Sequence, residues 1–316
     1  MGNFNDIIGT QVFLIVLMGI GVILAKIKLV DKPGINTLSS LVISLLLPCN
    51  ILSSFFNVGG RDMLFSLGQM IFISASLSVV AYFLGRYVFF RSLPLEQKKV
   101  LHFSIFISNA AFLGNPVVES IYGLSALAYA SAFLLPMRIV MWTFGLALFI
   151  GKGDQKGTGG GIVKILLHPC LIATYVGMIM LIAELRPGFL MSRLAFSLGN
   201  CTTPFSMIVV GLLLAQVKLK NIIGKTVFYY VFLRLVLLPL ALLGVLLLFK
   251  TDPLVIGIAV ALTGMPAPTN ASILANRYNS DSELASKILL VSVVLSMLTI
   301  PAWIMLIRYI APPIGV

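Results

Sequence analysis

Two apolar stretches of the sequence are interrupted by asparagine, glycine and proline in a pattern that could bind an anion. The first reads SNAAFLGNP from Ser108 to Pro116, and the second reads GMPAPTN from Gly264 to Asn270. Because proline lacks an amide donor and clashes with the preceding helical turn, each stretch predicts a broken helix. The half-helix that follows a break presents unpaired N–H groups and a partial positive charge, which suit a carboxylate.

Side chains at the two breaks are therefore candidate ligands for a small anion. The amides of Asn109, Asn115 and Asn270 add neutral donors, which can bind an anion without a permanent charge deep in an apolar segment. The candidate substrate-binding residues at the breaks are Asn109, Gly114, Asn115, Pro116, Pro266, Pro268, Thr269 and Asn270. The alternative is that the prolines only kink their helices, as prolines often do in membranes.

Two arginines, Arg138 just after Pro136 and Arg234 within VFLRLV, lie inside apolar stretches. An arginine at membrane depth is costly and usually faces the interior of a helix bundle or a water-filled cavity. Both arginines are candidate substrate ligands. The alternative is a structural ion pair, for which Glu119 is the strongest candidate acid in the sequence.

Three further polar residues, Asn50, Gln69 and Glu119, are candidates for the site. Glu119 could instead carry a coupled proton or help to hold a cation. For Asn50 and Gln69 the alternative is hydrogen bonding between helices. No cofactor is predicted, although a coupling ion, Na⁺ or H⁺, is compatible with these residues.

The sequence contains no complete motif of an enzyme or a metal site. The segment from Gly224 to Thr226 resembles the end of a Walker A loop, but Leu219 stands where the first glycine should be. Three cysteines are scattered without a CxxC pair, which is neither a disulfide framework nor a zinc site. We therefore predict no catalytic residue, no metal ligand and no enzymatic activity.

The elements that position these residues follow from composition. Of 316 residues, 59% are hydrophobic and 10% are charged, whereas an average soluble domain has about 25% charged residues. Since a membrane-spanning helix needs about 20 mostly apolar residues, we predict an all-α integral membrane protein with ten transmembrane helices. The predicted spans are 7–26, 35–56, 63–90, 98–122, 124–150, 163–184, 195–216, 225–249, 253–276 and 283–309.

Basic residues set the predicted orientation. The net charge is +12, and most lysines and arginines fall on the cytoplasmic side when the first loop is placed there. This bias predicts a multi-pass protein of the cell membrane with both termini outside. Because the basic residues are spread over loops rather than clustered, nucleic acid is not an expected partner.

A glycine-rich loop, GKGDQKGTGGG at 151–161, divides the chain nearly in half. It predicts a first five-helix repeat at 1–150, a cytoplasmic linker at 151–161 and a second repeat at 162–316. An odd number of spans in each half gives the two repeats opposite orientations, as in many secondary transporters. The broken spans are the fourth of each repeat, and matched breaks in two halves indicate a binding site near the membrane midplane.

The joint pattern of motifs resembles the auxin efflux carrier family, over essentially the whole chain and with the short central loop of bacterial members. The motifs are Asn109-x4-Gly114-x-Pro116 continuing to Tyr122-Gly123, Arg234-Leu235 followed by Pro239, and Pro266 through Ala275-Asn276-Arg277-Tyr278-Asn279.

The resemblance implies two inverted five-helix repeats, a distant relation to bile acid sodium symporters, and helices 4 and 9 that cross at their broken centres. Helices 1, 2, 6 and 7 would form a scaffold domain, and helices 3–5 and 8–10 a transport domain.

By position, Asn109, Gly114, Pro116 and Pro266 would belong to the crossover. Substrates of the family are small carboxylates, including auxin, malate and malonate, and homodimers are possible by analogy. Arg138 departs from the family pattern and could mark a dicarboxylate.

The sequence therefore predicts a secondary transporter of small organic anions, mono- or dicarboxylates, that works by alternating access around the helix 4/9 crossover. The expected partners are the carboxylate and the lipid bilayer. The alternative is a membrane sensor or receptor of the same fold that binds a carboxylate without moving it. A channel is a third possibility.

Overall fold

The structure is a computed structural model that describes residues 4–56, 62–88, 93–149, 167, 169–216 and 224–310. All regular structure within these ranges is helical. The predicted linker at 151–161 lies outside the described residues.

Helical segments named here α1 to α10 follow one another along the described chain, and each overlaps one predicted span. They are α1 (Phe4–Lys26), α2 (Lys32–Phe56), α3 (Asp62–Val88), α4 (Leu95–Tyr122), α5 (Ala126–Phe149), α6 (Pro169–Ile182), α7 (Phe189–Ala215), α8 (Lys225–Leu248), α9a (Pro253–Thr263), α9b (Thr269–Arg277) and α10 (Ser282–Ile310).

Within the described residues, seven of these segments are long and apolar enough to cross a membrane. The apolar part of α1, Val12–Lys26, and the segments α6 and α9a are shorter. The chain is therefore a multi-pass membrane protein, as predicted. A membrane crossing by all ten segments, and their arrangement as inverted repeats, stay predictions.

Helix α4 is the most enclosed of the seven spanning helices. In its most apolar window 94% of the residues are buried, against 33% in the corresponding window of α3. Large side chains such as Phe65 and Phe72 of α3 point outward. Lipid tails solvate such side chains, whereas the residues of α4 must be matched by protein neighbours.

Small residues allow close packing in the group formed by α1, α2, α6 and α7. A Cβ added to Gly21 of α1 would collide with the Ile208 carbonyl oxygen of α7, and one added to Gly211 of α7 would collide with the Met18 carbonyl oxygen of α1. Close backbone approach of this kind is how membrane helices associate through glycine. Helices α6 and α7 in turn pack against α2. The division into scaffold and transport domains stays a prediction.

Both predicted breaks are present. Helix α4 consists of α4a (Leu95–Phe106), a π-helical turn at Ala110–Gly114 and α4b (Asn115–Tyr122). Helix α9 is interrupted between α9a and α9b, where Pro266 and Pro268 prevent the helix from continuing. One break thus lies in α4, the most enclosed helix, and the other lies in α9.

Further π-helical turns precede prolines in α2 and α8. They span Val42–Leu46, just before Pro48, and Leu233–Leu237, just before Pro239. A proline cannot donate the hydrogen bond to the preceding turn, so the chain widens locally there. The turn in α8 contains Arg234 and helps to set where that side chain points.

Candidate functional site

The breaks of α4 and α9 are in direct contact. The Asn109 amide N–H donates to the Pro266 carbonyl oxygen at 2.9 Å. A Cβ added to Gly114 would lie 2.8 Å from Leu262 Cδ2 and 3.2 Å from Met265 Cγ. Glycine at this position therefore permits α4 to approach α9, and a backbone hydrogen bond joins the two non-helical segments.

A cavity of about 100 Å³ lies beside this junction. Five of the predicted site residues line it, namely Asn109, Arg138, Pro268, Thr269 and Asn270. The other lining residues are Ile43, Leu47, Ile107, Ser108, Ala111, Phe112, Leu134, Met137, Met141 and Cys170. The cavity is thus formed by α2, α4, α5 and α9b together with the start of α6.

The cavity wall carries positive charge and unmet hydrogen-bond donors. Arg138 is the only ionised side chain among the described residues that line it. Its Nη1 atom and the Nδ2 atom of Asn109 are buried and have no hydrogen-bond partner in the described structure. A buried donor without an acceptor costs roughly 1–3 kcal/mol. An anion that entered the cavity could accept from both groups and remove this cost.

Residues at two helix N-termini line the same space. Helix α9b begins at Thr269, and Pro268, Thr269 and Asn270 all line the cavity. The π-helical turn of α4 begins directly after Asn109. The first N–H groups of each segment have no acceptor within their own helix, and both helix ends carry partial positive charge. Two helix N-termini and one arginine therefore converge on the cavity.

Two methionine sulfur atoms occupy acceptor positions in the cavity wall. Ser108 Oγ lies 3.6 Å from Met137 Sδ, and Asn270 Nδ2 lies 3.6 Å from Met141 Sδ. Ser108 Oγ also lies 3.4 Å from the Leu262 carbonyl oxygen. A thioether is a weak acceptor, so Asn270 could exchange it for a carboxylate oxygen. Sequence motifs gave no hint of these methionines. Their only signal is that Met137, Arg138 and Met141 share one face of α5.

Arg234 lies elsewhere, between the two half-helices that end at the breaks. Its Nη1 donates to the Ile105 carbonyl oxygen at 2.7 Å and its Nε to the Met265 carbonyl oxygen at 3.1 Å. The Ile105 carbonyl belongs to the end of α4a, and the Met265 carbonyl lies two residues beyond the end of α9a, where helices leave acceptors unpaired. A cation is also favourable at a helix C-terminus. Arg234 therefore fastens α4a to α9a and does not line the cavity.

Comparison with known proteins identifies the family. A family model described as "Membrane transport protein" matches residues 6–158 and 160–304. The chain belongs to this family. The match confirms the resemblance to the auxin efflux carriers, and family membership implies transport rather than enzymatic chemistry.

Relatives of this membrane transport protein span nearly its whole length. A "Putative malonate transporter" of Rhizobium meliloti (strain 1021) is 25% identical over 305 residues, covering 90% of this chain and 92% of the relative. An "Uncharacterized transporter" of Methanothermobacter thermautotrophicus is 26% identical over 298 residues, covering 93% and 96%. The "Uncharacterized transporter YfdV" of Escherichia coli (strain K12) is 22% identical over 313 residues, covering 96% and 98%.

The remaining predicted site residues of the transport protein lie outside the cavity lining. Pro266 supplies the carbonyl that joins the breaks, and Gly114 allows their approach. Asn115 and Pro116 open α4b and are buried. Gln69 lines an apolar groove between α3 and α8.

Glu119 and Asn50, both predicted candidates, bond to each other. Asn50 Nδ2 donates to Glu119 Oε2 at 3.2 Å, and Thr203 Oγ1 donates to the same oxygen at 3.2 Å. This cluster joins α2, α4b and α7 and does not line the cavity of Arg138. Sequence analysis did not single out Thr203, because one threonine among many in apolar helices gives no signal.

Two other side chains that support the site were also missed. Ser292 Oγ of α10 accepts from the Ala267 N–H at 3.0 Å and so holds the break of α9 in place. Cys170 Sγ lines the cavity and donates to the Ile43 carbonyl oxygen at 3.3 Å. A serine or cysteine in an apolar helix is most often a packing residue, so only the folded structure distinguishes these two.

Proposed function

We propose that this membrane transport protein is a secondary transporter of small organic anions, mono- or dicarboxylates such as malonate, that works by alternating access around the α4 and α9 breaks. The observation that carries the proposal is the pair of buried donors without acceptors, Arg138 Nη1 and Asn109 Nδ2, in one cavity wall. A carboxylate supplies the acceptor oxygens that these donors lack, and its bond to arginine is charge-assisted.

The volume of the cavity and the donors in its wall support a small, doubly charged substrate. Its volume of about 100 Å³ suits a molecule of a few heavy atoms better than a large aromatic acid. One carboxylate could bind Arg138 and Asn109. A second could bind the N-terminus of α9b at Thr269 and Asn270, where backbone donors and helix charge favour it. The name of the Rhizobium relative agrees with this class of substrate.

Alternating access is supported by the position of the breaks. Half-helices that end inside a bundle can form a binding site near the midplane, around which one group of helices moves against another. The cavity lies where α4 and α9b meet α2 and α6. A movement of α4 and α9 against these helices would open it alternately to either side, and we place both termini on the outer side of the membrane.

Uptake into proteoliposomes tests the proposal. Purified protein should take up labelled malonate with saturable kinetics, and Arg138→Gln should lower this uptake at least about tenfold through loss of a charge-assisted bond. Arg193→Gln is the matched control, because Arg193 is an exposed arginine of α7. Equal uptake by the Arg138 variant and wild type would contradict the proposed site.

The same measurement separates the alternatives. A sensor would bind malonate, detectable by a ligand-dependent rise in melting temperature, without moving it across the membrane. A channel would pass malonate without saturation. Saturable flux that exceeds leakage and is lost in Arg138→Gln distinguishes a carrier from both.

A further inference from the structure

The transport protein contains a second polar cluster, separate from the cavity of Arg138. It is centred on Glu119 of α4b, whose Oε2 atom accepts from Asn50 of α2 and from Thr203 of α7, each at 3.2 Å. A carboxylate inside a transmembrane bundle is costly, and such residues usually mark an ion or proton pathway. Three helices thus converge on one negative charge.

Several buried polar atoms on the three helices that meet at this carboxylate have no partner within the described structure. They are Asn50 Oδ1, Asn115 Nδ2 and Oδ1, Thr202 Oγ1 and Ser206 Oγ. The side chains of Asn50 and Asn115 are 1% exposed, and those of Thr202 and Ser206 are fully buried. Buried polar atoms are nearly always hydrogen-bonded, so a group of unmet ones on helices that share a carboxylate suggests a bound species.

The unmet atoms lie on the elements that meet at Glu119. Asn115 precedes Glu119 by one turn of α4b, and residues spaced by four share a helix face. Thr202 precedes Thr203, and Ser206 follows one turn later on α7. A Cβ added to Gly199 would lie 3.1 Å from Asn50 Cα and 3.4 Å from Asn50 Oδ1, so α7 packs closely against Asn50.

The chemistry of these atoms fits a hard monovalent cation. Carboxylate, amide and hydroxyl oxygens are the ligands of hard cations rather than of transition metals. Within the described chain, no three histidines, cysteines or acids gather to form a transition-metal site. One carboxylate balances a single positive charge. A proton would satisfy one acceptor, whereas a cation can coordinate several oxygens at once.

We propose that Asn50, Asn115, Glu119, Thr202, Thr203 and Ser206 form a sodium-binding site that joins α2, α4b and α7. As a coupling site it rests on the proposed function, since sodium matters for transport only if a substrate is carried. Sodium is expected to bind also when no substrate is present.

Two elements connect this site to the cavity. Helix α4b carries Asn115 and Glu119, and it continues from the turn that starts at Asn109 in the cavity wall. Helix α2 carries Asn50 at the sodium site and Leu47 in the cavity wall, one turn apart. Sodium would fix α4b against α2 and α7 and so order the N–H groups that face the anion. Each ligand would then raise the affinity for the other by the same factor.

Direct sodium binding by the purified full chain in detergent tests the site. We expect saturable binding of ²²Na⁺ and a rise in melting temperature with NaCl over equal choline chloride, because a ligand that binds only the folded state stabilises it. Glu119→Gln should weaken sodium affinity at least about tenfold, which is a loss of about 1.4 kcal/mol. Glu184→Gln, an exposed acid after α6, should bind as wild type.

Two variants of Thr203 test the site independently if Glu119→Gln folds poorly. Thr203→Ser keeps the hydroxyl and should bind sodium, whereas Thr203→Val keeps the shape and should lose it. Absence of ²²Na⁺ binding to wild type, or equal binding by both Thr203 variants, would overturn the site. Malonate uptake driven by a proton gradient alone in sodium-free buffer would overturn the role of the site in coupling.

Failure of the site and failure of the proposed function have different signatures. Malonate flux without sodium binding would contradict the sodium site but support the carrier function. Sodium binding without flux of any carboxylate would support the sodium site but contradict the carrier function.

Discussion

The backbone N–H of Asn109 donates to the carbonyl oxygen of Pro266 at 2.9 Å, so the break of α4 is bonded directly to the break of α9. The side-chain amide of Asn109 takes no part in this bond, and its Nδ2 has no partner. One residue thus has two separable roles: its backbone joins the breaks, and its side chain faces the cavity.

Asn109→Ala should separate these roles. The backbone bond to Pro266 remains, so the melting temperature should change little. The loss of the Nδ2 donor should lower malonate uptake by about tenfold or more, the cost of roughly one hydrogen bond to a charged group. The measurement is uptake by proteoliposomes beside thermal unfolding in detergent. A variant that melts much earlier, or one that transports at the wild-type rate, would contradict this division.

Gly114→Ala should disturb the contact between α4 and α9. The added methyl group would lie 2.8 Å from Leu262 Cδ2, and overpacking of this kind costs roughly 1–3 kcal/mol. Gly68→Ala on α3 is the matched control, since a Cβ there meets no neighbour within 4 Å. Thermal unfolding of both variants tests the contact, and equal melting temperatures would show that α4 and α9 are not closely packed at this point.

Gly211→Ala should be more damaging, because the new methyl group would collide with the Met18 backbone rather than with a flexible side chain. We expect α1 and α7 to separate, with a large fall in melting temperature or in the yield of folded protein. Gly19→Ala, on the same helix as Met18, meets nothing within 4 Å and should be tolerated. Size-exclusion chromatography and thermal unfolding compare the two. Tolerance of both substitutions would refute the close approach of these helices.

Arg234→Lys should destabilise the protein although it keeps the charge. Arg234 bonds two carbonyl oxygens with two separate nitrogens, and the single ammonium group of lysine cannot reproduce that geometry. We expect a lower melting temperature in Arg234→Lys and a still lower one in Arg234→Met. Arg138→Gln, in contrast, should affect malonate affinity more than stability. A normal melting temperature of Arg234→Met would show that the arginine does not hold α4a and α9a together.

The helical segments and both breaks could be predicted from the sequence because they depend on local signals. Runs of apolar residues set the helices, and Pro266 or Pro116 with adjacent glycine and asparagine set the breaks. Which way a polar side chain faces could not be predicted. Arg138 and Arg234 gave the same signal, yet only Arg138 lines the cavity, since rotation of a helix depends on packing against distant segments.

Hydrogen bonds between residues on different helices also could not be predicted from local sequence. Asn50 and Glu119 were both candidates, but nothing in a single sequence pairs residues 69 positions apart. Thr203 and Ser292 have no sequence signal at all, because hydroxyl residues are common in apolar helices. The folded structure makes them interpretable through the bonds that they complete.

Arg234 also shapes the electric field in a cavity that it does not line. Its charge lies at the C-terminal ends of α4a and α9a, where helix dipoles place negative potential. With that negative end neutralised, the positive ends at Asn109 and Thr269 are left to dominate the potential at the cavity. We therefore expect Arg234, which does not line the cavity, to contribute to the proposed preference for an anion.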